Sequence, residues 1–336
     1  MQRQPNLFDY ATSELSQDAF IAWLSAWANP IYEEVDSSLY ECAKSFVRKL
    51  LENDVSIRVD EIKTIEVKKQ WKNIDVSLII NNDILIVIED KKGTKAHSNQ
   101  LERYANKVKN EYDKILLIYY KMLEQGSYKK IYDAGYKIFS RRDMINVLQT
   151  YILNAKSKKN NIVSDYYDHL KELDTEIESF KTKSPRDWKR LQWIGFYSEL
   201  QKEITANWGK VSNAKGGFLG FDWGYRKLKL HRVDLEQYLQ LEEGNLVFKI
   251  YVEDKTKRRQ IRDKYRKLFF EYANDSNLSA QKYGRIGKTM SIAKLKNNYI
   301  IYDNQGQIDI PKTVIKIKNI TDLMDKFSLS LRGRQD

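Results

Sequence analysis

Apolar positions in the first half of the chain follow two periodicities in turn. Phe20, Trp23, Leu24 and Trp27 recur at i, i+3, i+4 and i+7, the spacing of one buried helix face. This predicts a helix over about Ser13–Ala28, closed by Asn29-Pro30, and the next apolar set predicts a second over roughly Ser37–Glu52. Apolar runs then predict strands at Ser56–Val67, Ile74–Ile80 and Ile84–Glu89, with the polar turn Asn81-Asn82-Asp83 joining the last two. A helix near Ser98–Lys107 comes next. Lys114–Tyr120 is a continuous apolar run, the mark of a buried strand. A short strand at Tyr136–Phe139 and a helix at Arg142–Leu153 complete the region. Helix, three strands, helix and further strand make an α/β domain over residues 1–154, a mixed sheet between helical layers.

Residues 155–187 read as a basic hinge (Ala155–Asn161), a charged helix (Asp165–Phe180) and a second break near Pro185. From residue 188 to 336 the pattern predicts a separate α+β domain. Its helix Trp188–Ile204 carries Trp188, Leu191, Trp193, Ile194 and Tyr197 on a broad apolar face. Strands follow at Trp208–Val211, Gly217–Trp223, Tyr238–Leu241, Leu246–Tyr251 and Lys288–Ala293, with a very basic helix, Lys255–Tyr272, before the last. The glycines of Ala214–Trp223 fit close approach of a ligand. Bulges and tight turns are the commoner cause of such glycines, and that reading is favoured.

The hairpin carries the candidate chemistry. Asp75 starts its first strand, and Glu89 and Lys91 end its second, so residues 14 positions apart come side by side. Glu89 and Lys91 share a strand face while Asp90 points the other way. Two carboxylates and an ammonium therefore converge at a sheet edge, a divalent-metal site with a cation beside it. A solvated charge pair explains Glu-x-Lys equally simply, and an exposed Asp75–Lys91 ion pair contributes only about 0–1 kcal/mol. Gln100 and Tyr104, four apart on one helix face, also read as cover for the sheet. Glu14 and Asp18 also suit the positive end of a helix.

Asp75 … Glu89-Asp90-Lys91 resembles the PD-(D/E)XK nuclease superfamily, with Ile74 where proline is usual. Gln100-x-x-x-Tyr104 resembles the extra motif of the RecB-type branch. Thr12–Phe20 resembles the first helix of these nucleases, with Glu14 as the match and Asp18 one turn on as the other candidate. The resemblance, over roughly residues 6–145, implies a restriction-endonuclease-like αβββαβ core. It implies hydrolysis of phosphodiester bonds with Mg2+ or Mn2+ held by Asp75, Glu89, Glu14 and the backbone carbonyl of Asp90. Magnesium is a hard cation that favours such oxygen donors. Lys91 would position or activate the attacking water, and Gln100 and Tyr104 would orient water or substrate. DNA is the favoured substrate by family analogy, and standalone prokaryotic relatives suggest defence against foreign DNA. An RNA-directed nuclease, or a non-catalytic nucleic-acid-binding or assembly protein that retains the fold, stays open.

Charge supports a polyanionic partner. The chain has 336 residues, with 58 Lys and Arg against 46 Asp and Glu, a net charge of +12. Lys92 and Lys95 beside the hairpin read equally as phosphate contacts or solvated charges, and Lys257, Arg258, Arg259, Arg262 and Arg266 on the basic helix are candidate phosphate contacts. On that helix Ile261, Tyr265 and Phe269 would face inward and the charges outward, and a solvated face is the equal alternative. Only three histidines occur, widely spaced, and His97 near the hairpin reads as a surface residue. The single cysteine, Cys42, excludes an intrachain disulfide and a cysteine-built cluster. There is no GxxxxGK[ST] motor signature; Gly284–Thr289 lacks its spacing. Neither a signal peptide nor a membrane span is legible, which predicts a cytoplasmic protein. The sequence leaves a homo-oligomer or an activating partner open.

Overall fold

The computed structural model describes residues 5–52, 58–93, 99–154, 159–213 and 216–332. By internal packing they form two units, Met1–Glu124 with Tyr128–Thr175, and Gln125–Ser127 with Glu176–Asp336.

In the first unit, α1 (Leu7–Tyr10) precedes α2 (Glu14–Trp27), whose N-cap Ser13 accepts the Ser16 N–H. Asp36 caps α3 (Ser37–Leu51) in the same way. Strands β1 (Ile65–Trp71), β2 (Ile74–Ile80) and β3 (Ile84–Lys91) follow, then α4 (Gln100–Val108), β4 (Lys114–Lys121), α5 (Lys129–Asp133), β5 (Lys137–Ser140), α6 (Arg141–Asn154) and α7 (Asn161–Glu178). The sheet order is β1-β2-β3-β4-β5. The first three strands pair antiparallel, and β3–β4 and β4–β5 pair parallel. This is the mixed sheet that the order of elements predicts and the restriction-endonuclease-like core that the resemblance implies. Ile84, Ile86 and Ile88 point into a core built with α2, α3, α6 and α7, while Leu85 and Val87 point to the α4 side. Residues Val163, Tyr166 and Leu170 of α7 are part of the larger core.

The strand expected at Ser56–Val67 begins only at Ile65. Val59 and Ile62, three apart, are both buried, and Val59–Glu61 forms a 3-10 turn, not an alternating strand. At its other end β1 runs on to Trp71, because Lys72 and Asn73 take left-handed backbone angles (φ 55° and 64°) and close a two-residue hairpin onto Ile74.

In the second unit α8 (Arg190–Leu200) is followed by β6 (Asn207–Val211), β7 (Phe218–Leu230), β8 (Val233–Glu242), β9 (Asn245–Tyr251), α9 (Arg258–Asp275), β10 (Ala280–Lys282), β11 (Thr289–Leu295) and α10 (Ile310–Arg332). Six antiparallel strands lie in the order β10-β11-β9-β8-β7-β6. One face takes the helices: Trp223 donates to Thr321 Oγ1 at 2.8 Å, Gln237 donates to Ser328 Oγ at 2.8 Å, and Phe248 packs on Phe269.

The α+β class is as expected, but several elements differ in extent. Strand β7 continues seven residues past Trp223, through a bulge where Gly224 and Tyr225 together oppose Tyr238. The bulge breaks the alternation that the sequence pattern relied on. Helix α10 was not expected, because Thr313-Val-Ile-Lys-Ile-Lys alternates like a strand. Yet Val314, Ile317, Ile320, Met324, Phe327 and Leu331 are the buried apolar residues, at helical spacing, and Asp309 caps the start by accepting the Lys312 N–H. Gly216 and Gly217, both at φ near 100°, form the turn into β7, and a Cβ on Gly217 would lie 2.4 Å from the Val211 carbonyl. Among the described residues no helix is long and apolar enough to cross a membrane.

Candidate active site

The alternation of β3 decides what meets at its end. Glu89 and Lys91 continue the face of Leu85 and Val87, and Asp90 continues the face of Ile86 and Ile88. Lys91 Nζ lies 2.7 Å from Glu89 Oε1 and 3.6 Å from Asp75 Oδ2. It also donates to the Asp90 carbonyl at 2.7 Å. The Asp90 N–H donates to Asp75 Oδ2 at 2.9 Å, so backbone fixes the first carboxylate. Gln100 fixes the second by donating to Glu89 Oε1 at 2.7 Å, and donates to the Tyr104 hydroxyl at 3.2 Å.

Glu89 is fully buried, and its Oε2 faces no hydrogen-bond donor among the described residues. Burial first, and the neighbouring Asp75 charge second, push its carboxyl up to about 7 against the pull of Lys91. Burial alone would lower the Lys91 ammonium, but the Glu89 carboxylate overrides it and the pKa rises. The result is a desolvated cluster of two abutting carboxylates with one cation.

Helix α2 supplies a second layer. Glu14 Oε1 accepts the Lys92 N–H at 3.0 Å, and the Lys92 ammonium donates to the Thr12 carbonyl at 3.2 Å. Asp18 is 2% exposed and faces the Asp90 side chain. Burial and the Asp75 charge raise Asp18 to about 6, and burial with the Asp18 charge raises Asp90 as well. Gln17 donates to Asp90 Oδ1. Among the described residues no three His, Cys, Asp or Glu side chains are grouped closely enough to form a metal centre by themselves.

A model of the PD-(D/E)XK nuclease superfamily matches residues 5–207, more than half of the chain. The chain belongs to that superfamily. Neither a curated protein nor a solved structure matches it.

In this PD-(D/E)XK chain Asp75, Glu89, Lys91, Gln100 and Tyr104 come together at one end of the sheet, and Glu14 and Asp90 stand on its α2 side. Lys95 and His97 lie outside the described residues. Lys257, Arg258, Arg259, Arg262 and Arg266 belong to the second unit, where the expected outward stripe is corrected. Arg258, Arg262 and Arg266 recur every fourth residue and turn their guanidiniums to backbone carbonyls. Arg258 binds those of Val252 and Glu253, Arg262 that of Gly284, and Arg266 those of Tyr283 and Ser291. These carbonyls, past the end of β9, in the loop before β11 and at the register shift after Ser291, need donors, and the long arginine stems reach them. Lys257 and Arg259 remain exposed.

Two neighbours of the site were missed. Gln17 is one, buried on α2 beside the candidate Asp18, and two polar residues next to that helix's apolar stripe were a readable signal. Lys121, 3% exposed, is the register partner of Lys91 across the parallel β3–β4 pair. Nothing in the local sequence announces a parallel pairing between strands so far apart.

Proposed function

We propose that the protein is a metal-dependent nuclease that hydrolyses phosphodiester bonds in DNA, acting in the cytoplasm in defence against foreign DNA. The observation that carries this reading is the buried, donor-free Oε2 of Glu89 beside the Asp75 carboxylate. Two abutting carboxylates, with Glu89 Oε2 left without a donor among the described residues, are an oxygen donor set for a hard divalent cation. Asp75 and Glu89 would hold Mg2+ or Mn2+, with the Asp90 carbonyl as a third oxygen and Glu14 in reach through water. A bound ion there would polarise the scissile phosphate and lower the pKa of its water.

The chain's own groups do the rest. Asp75 is held by the Asp90 N–H and Glu89 by the Gln100 amide, so neither carboxylate needs to reorganise. Lys91 would present an ammonium beside both carboxylates, where negative charge develops on the phosphate. Tyr104 holds the Gln100 amide from its other side. The preference for DNA rests on the superfamily, and the net charge of +12 suits any nucleic acid.

The test is a cleavage time course on plasmid, linear duplex, single-stranded DNA and RNA, with Mg2+, Mn2+ or EDTA. Metal-dependent cutting of DNA that disappears in both Asp75→Ala and Lys91→Ala is the expected result. Cutting that survives both substitutions overturns the site assignment. Binding without cutting, unaffected by EDTA, replaces it with the non-catalytic reading.

A further inference from the structure

Helices α9 and α10 pack on one face of the second unit's sheet, and the β7–β8 hairpin also presents the other. Register places Asp222, Tyr225, Lys227 and Lys229 of β7 on that face, opposite Gln240, Tyr238, Glu236 and Asp234 of β8. The opposite face carries Phe221, Trp223, Leu228 and Leu230, all buried. Tyr225 and Tyr238 lie flat on each other, with ring centroids 5.0 Å apart and planes 11° from parallel. Tyr238 is buried beneath, while Tyr225 is 42% exposed. One face of the Tyr225 ring is therefore covered, and its exposure belongs to the other face and the edge.

The ring is held in place. The bulge at Gly224 (φ 67°) sets Tyr225 over Tyr238, and the Tyr225 hydroxyl donates to Asp222 Oδ2 at 2.6 Å. A large apolar ring fixed in this way has little conformational entropy left to lose on contact, and it offers a flat π surface to solvent. Beyond it the same strand face continues with the exposed Lys227 and Lys229, and the hairpin tip adds the exposed Arg232. Carboxylates on the same face offset part of this charge: Asp234 pairs with Lys229 at 3.7 Å, Glu236 lies opposite Lys227, and Asp222 holds the Tyr225 hydroxyl. An aromatic platform followed by cations along one strand is the composition that binds unpaired bases and their phosphates.

We propose that the β7–β8 hairpin is a contact site for single-stranded nucleic acid, with Tyr225 stacking one base and Lys227, Lys229 and Arg232 contacting the adjoining phosphates. The proposal rests on nucleic acid being the ligand of this chain, as in the proposed function, but it requires no turnover.

The test is fluorescence anisotropy in EDTA with a labelled oligothymidylate, an RNA single strand and a DNA duplex, on the full chain. Tyr225→Ala is expected to weaken single-strand binding by roughly 5–150-fold, the effect of losing one base–aromatic stack. Tyr225→Phe keeps the ring and is expected to restore most of that binding. A Lys227→Ala/Lys229→Ala double variant is expected to lower the salt dependence of single-strand affinity. Unaltered melting of Tyr225→Ala by circular dichroism separates loss of contact from loss of fold. Wild-type single-strand affinity in Tyr225→Ala overturns the proposal, as does a Tyr225-dependent self-association with no oligonucleotide binding. Because no cleavage is read, failure of the nuclease reading and failure of this site give different results.

Discussion

Gln100 donates its side-chain amide to Oε1 of Glu89 at 2.7 Å, the same oxygen that Lys91 approaches. Both donors sit on one oxygen, which leaves Oε2 for a cation. Gln100→Ala is expected to weaken divalent-metal binding by about 10–100-fold, the usual cost of losing a group that orients a metal ligand. Calorimetric titration with Mg2+ or Mn2+ checks this independently of cleavage. An unchanged affinity would show that Glu89 is held by packing alone.

The Arg141 guanidinium, almost fully buried, donates to Asp174, to Glu124 and to the Met122 carbonyl. Burial raises the Asp174 carboxyl, but the hydrogen bond and charge of Arg141 outweigh it, and the pKa falls below the ordinary value. A depressed folded-state pKa gives stability that is fully present above the unfolded pKa of about 4 and is lost as pH falls through the folded value. Asp174→Asn is expected to cost about 1.5–3 kcal/mol at neutral pH. It should also flatten the acid limb of a Tm-against-pH profile below about pH 4. A parallel downward shift at all pH values would argue that the charge of Asp174 is irrelevant.

Gly195 in α8 packs where a side chain cannot go. An added Cβ would lie 2.4 Å from the Ile177 carbonyl and 2.7 Å from the Phe180 ring. Around it Phe180, Trp188, Trp193 and Phe196 form one aromatic cluster. Gly195→Ala is expected to destabilise the fold by about 1–3 kcal/mol through overpacking, in spite of alanine's better helix propensity. Urea unfolding measures it, and a gain in stability would mean that the crossing relaxes freely.

Arg262→Ala should behave as a structural variant. It removes the charged hydrogen bond to the Gly284 carbonyl and is expected to cost about 1.5–3 kcal/mol. The salt dependence of nucleic-acid binding should stay as in the wild type. A lower log–log slope in Arg262→Ala, matching that of Lys257→Ala, would return Arg262 to the binding surface.

What the sequence disclosed depended on how local each relationship was. Asp75, Glu89 and Lys91 were legible because a hairpin closes within itself, and strand alternation then fixes which side chains share a face. The helix start at Glu14 and the Gln100–Tyr104 spacing are local in the same sense. Features that need a partner far along the chain stayed hidden. The neighbouring Lys121 depends on parallel pairing, and the inward turn of Arg262 and Arg266 depends on carbonyls some 20 residues away. Helix α10 was hidden because β-branched residues in its first turns mimic a strand, and only the packing of Met324, Phe327 and Leu331 settles the period.

The turn at the far end of the hairpin sets its register. Asn81 and Asn82 both take left-handed angles, and the Asn81 side chain accepts from the Lys63 and Thr64 N–H groups and donates to the Glu61 carbonyl. That one residue ties the hairpin's register to the segment entering the sheet. Strand side chains alternate, so a slip of a single position would turn Asp75 away from Glu89 and Lys91. Asn81 stands about 20 Å from Asp75 along an extended strand and touches none of the reacting groups. It acts on them as a ratchet pawl does, setting from a distance which tooth of the strand meets the site.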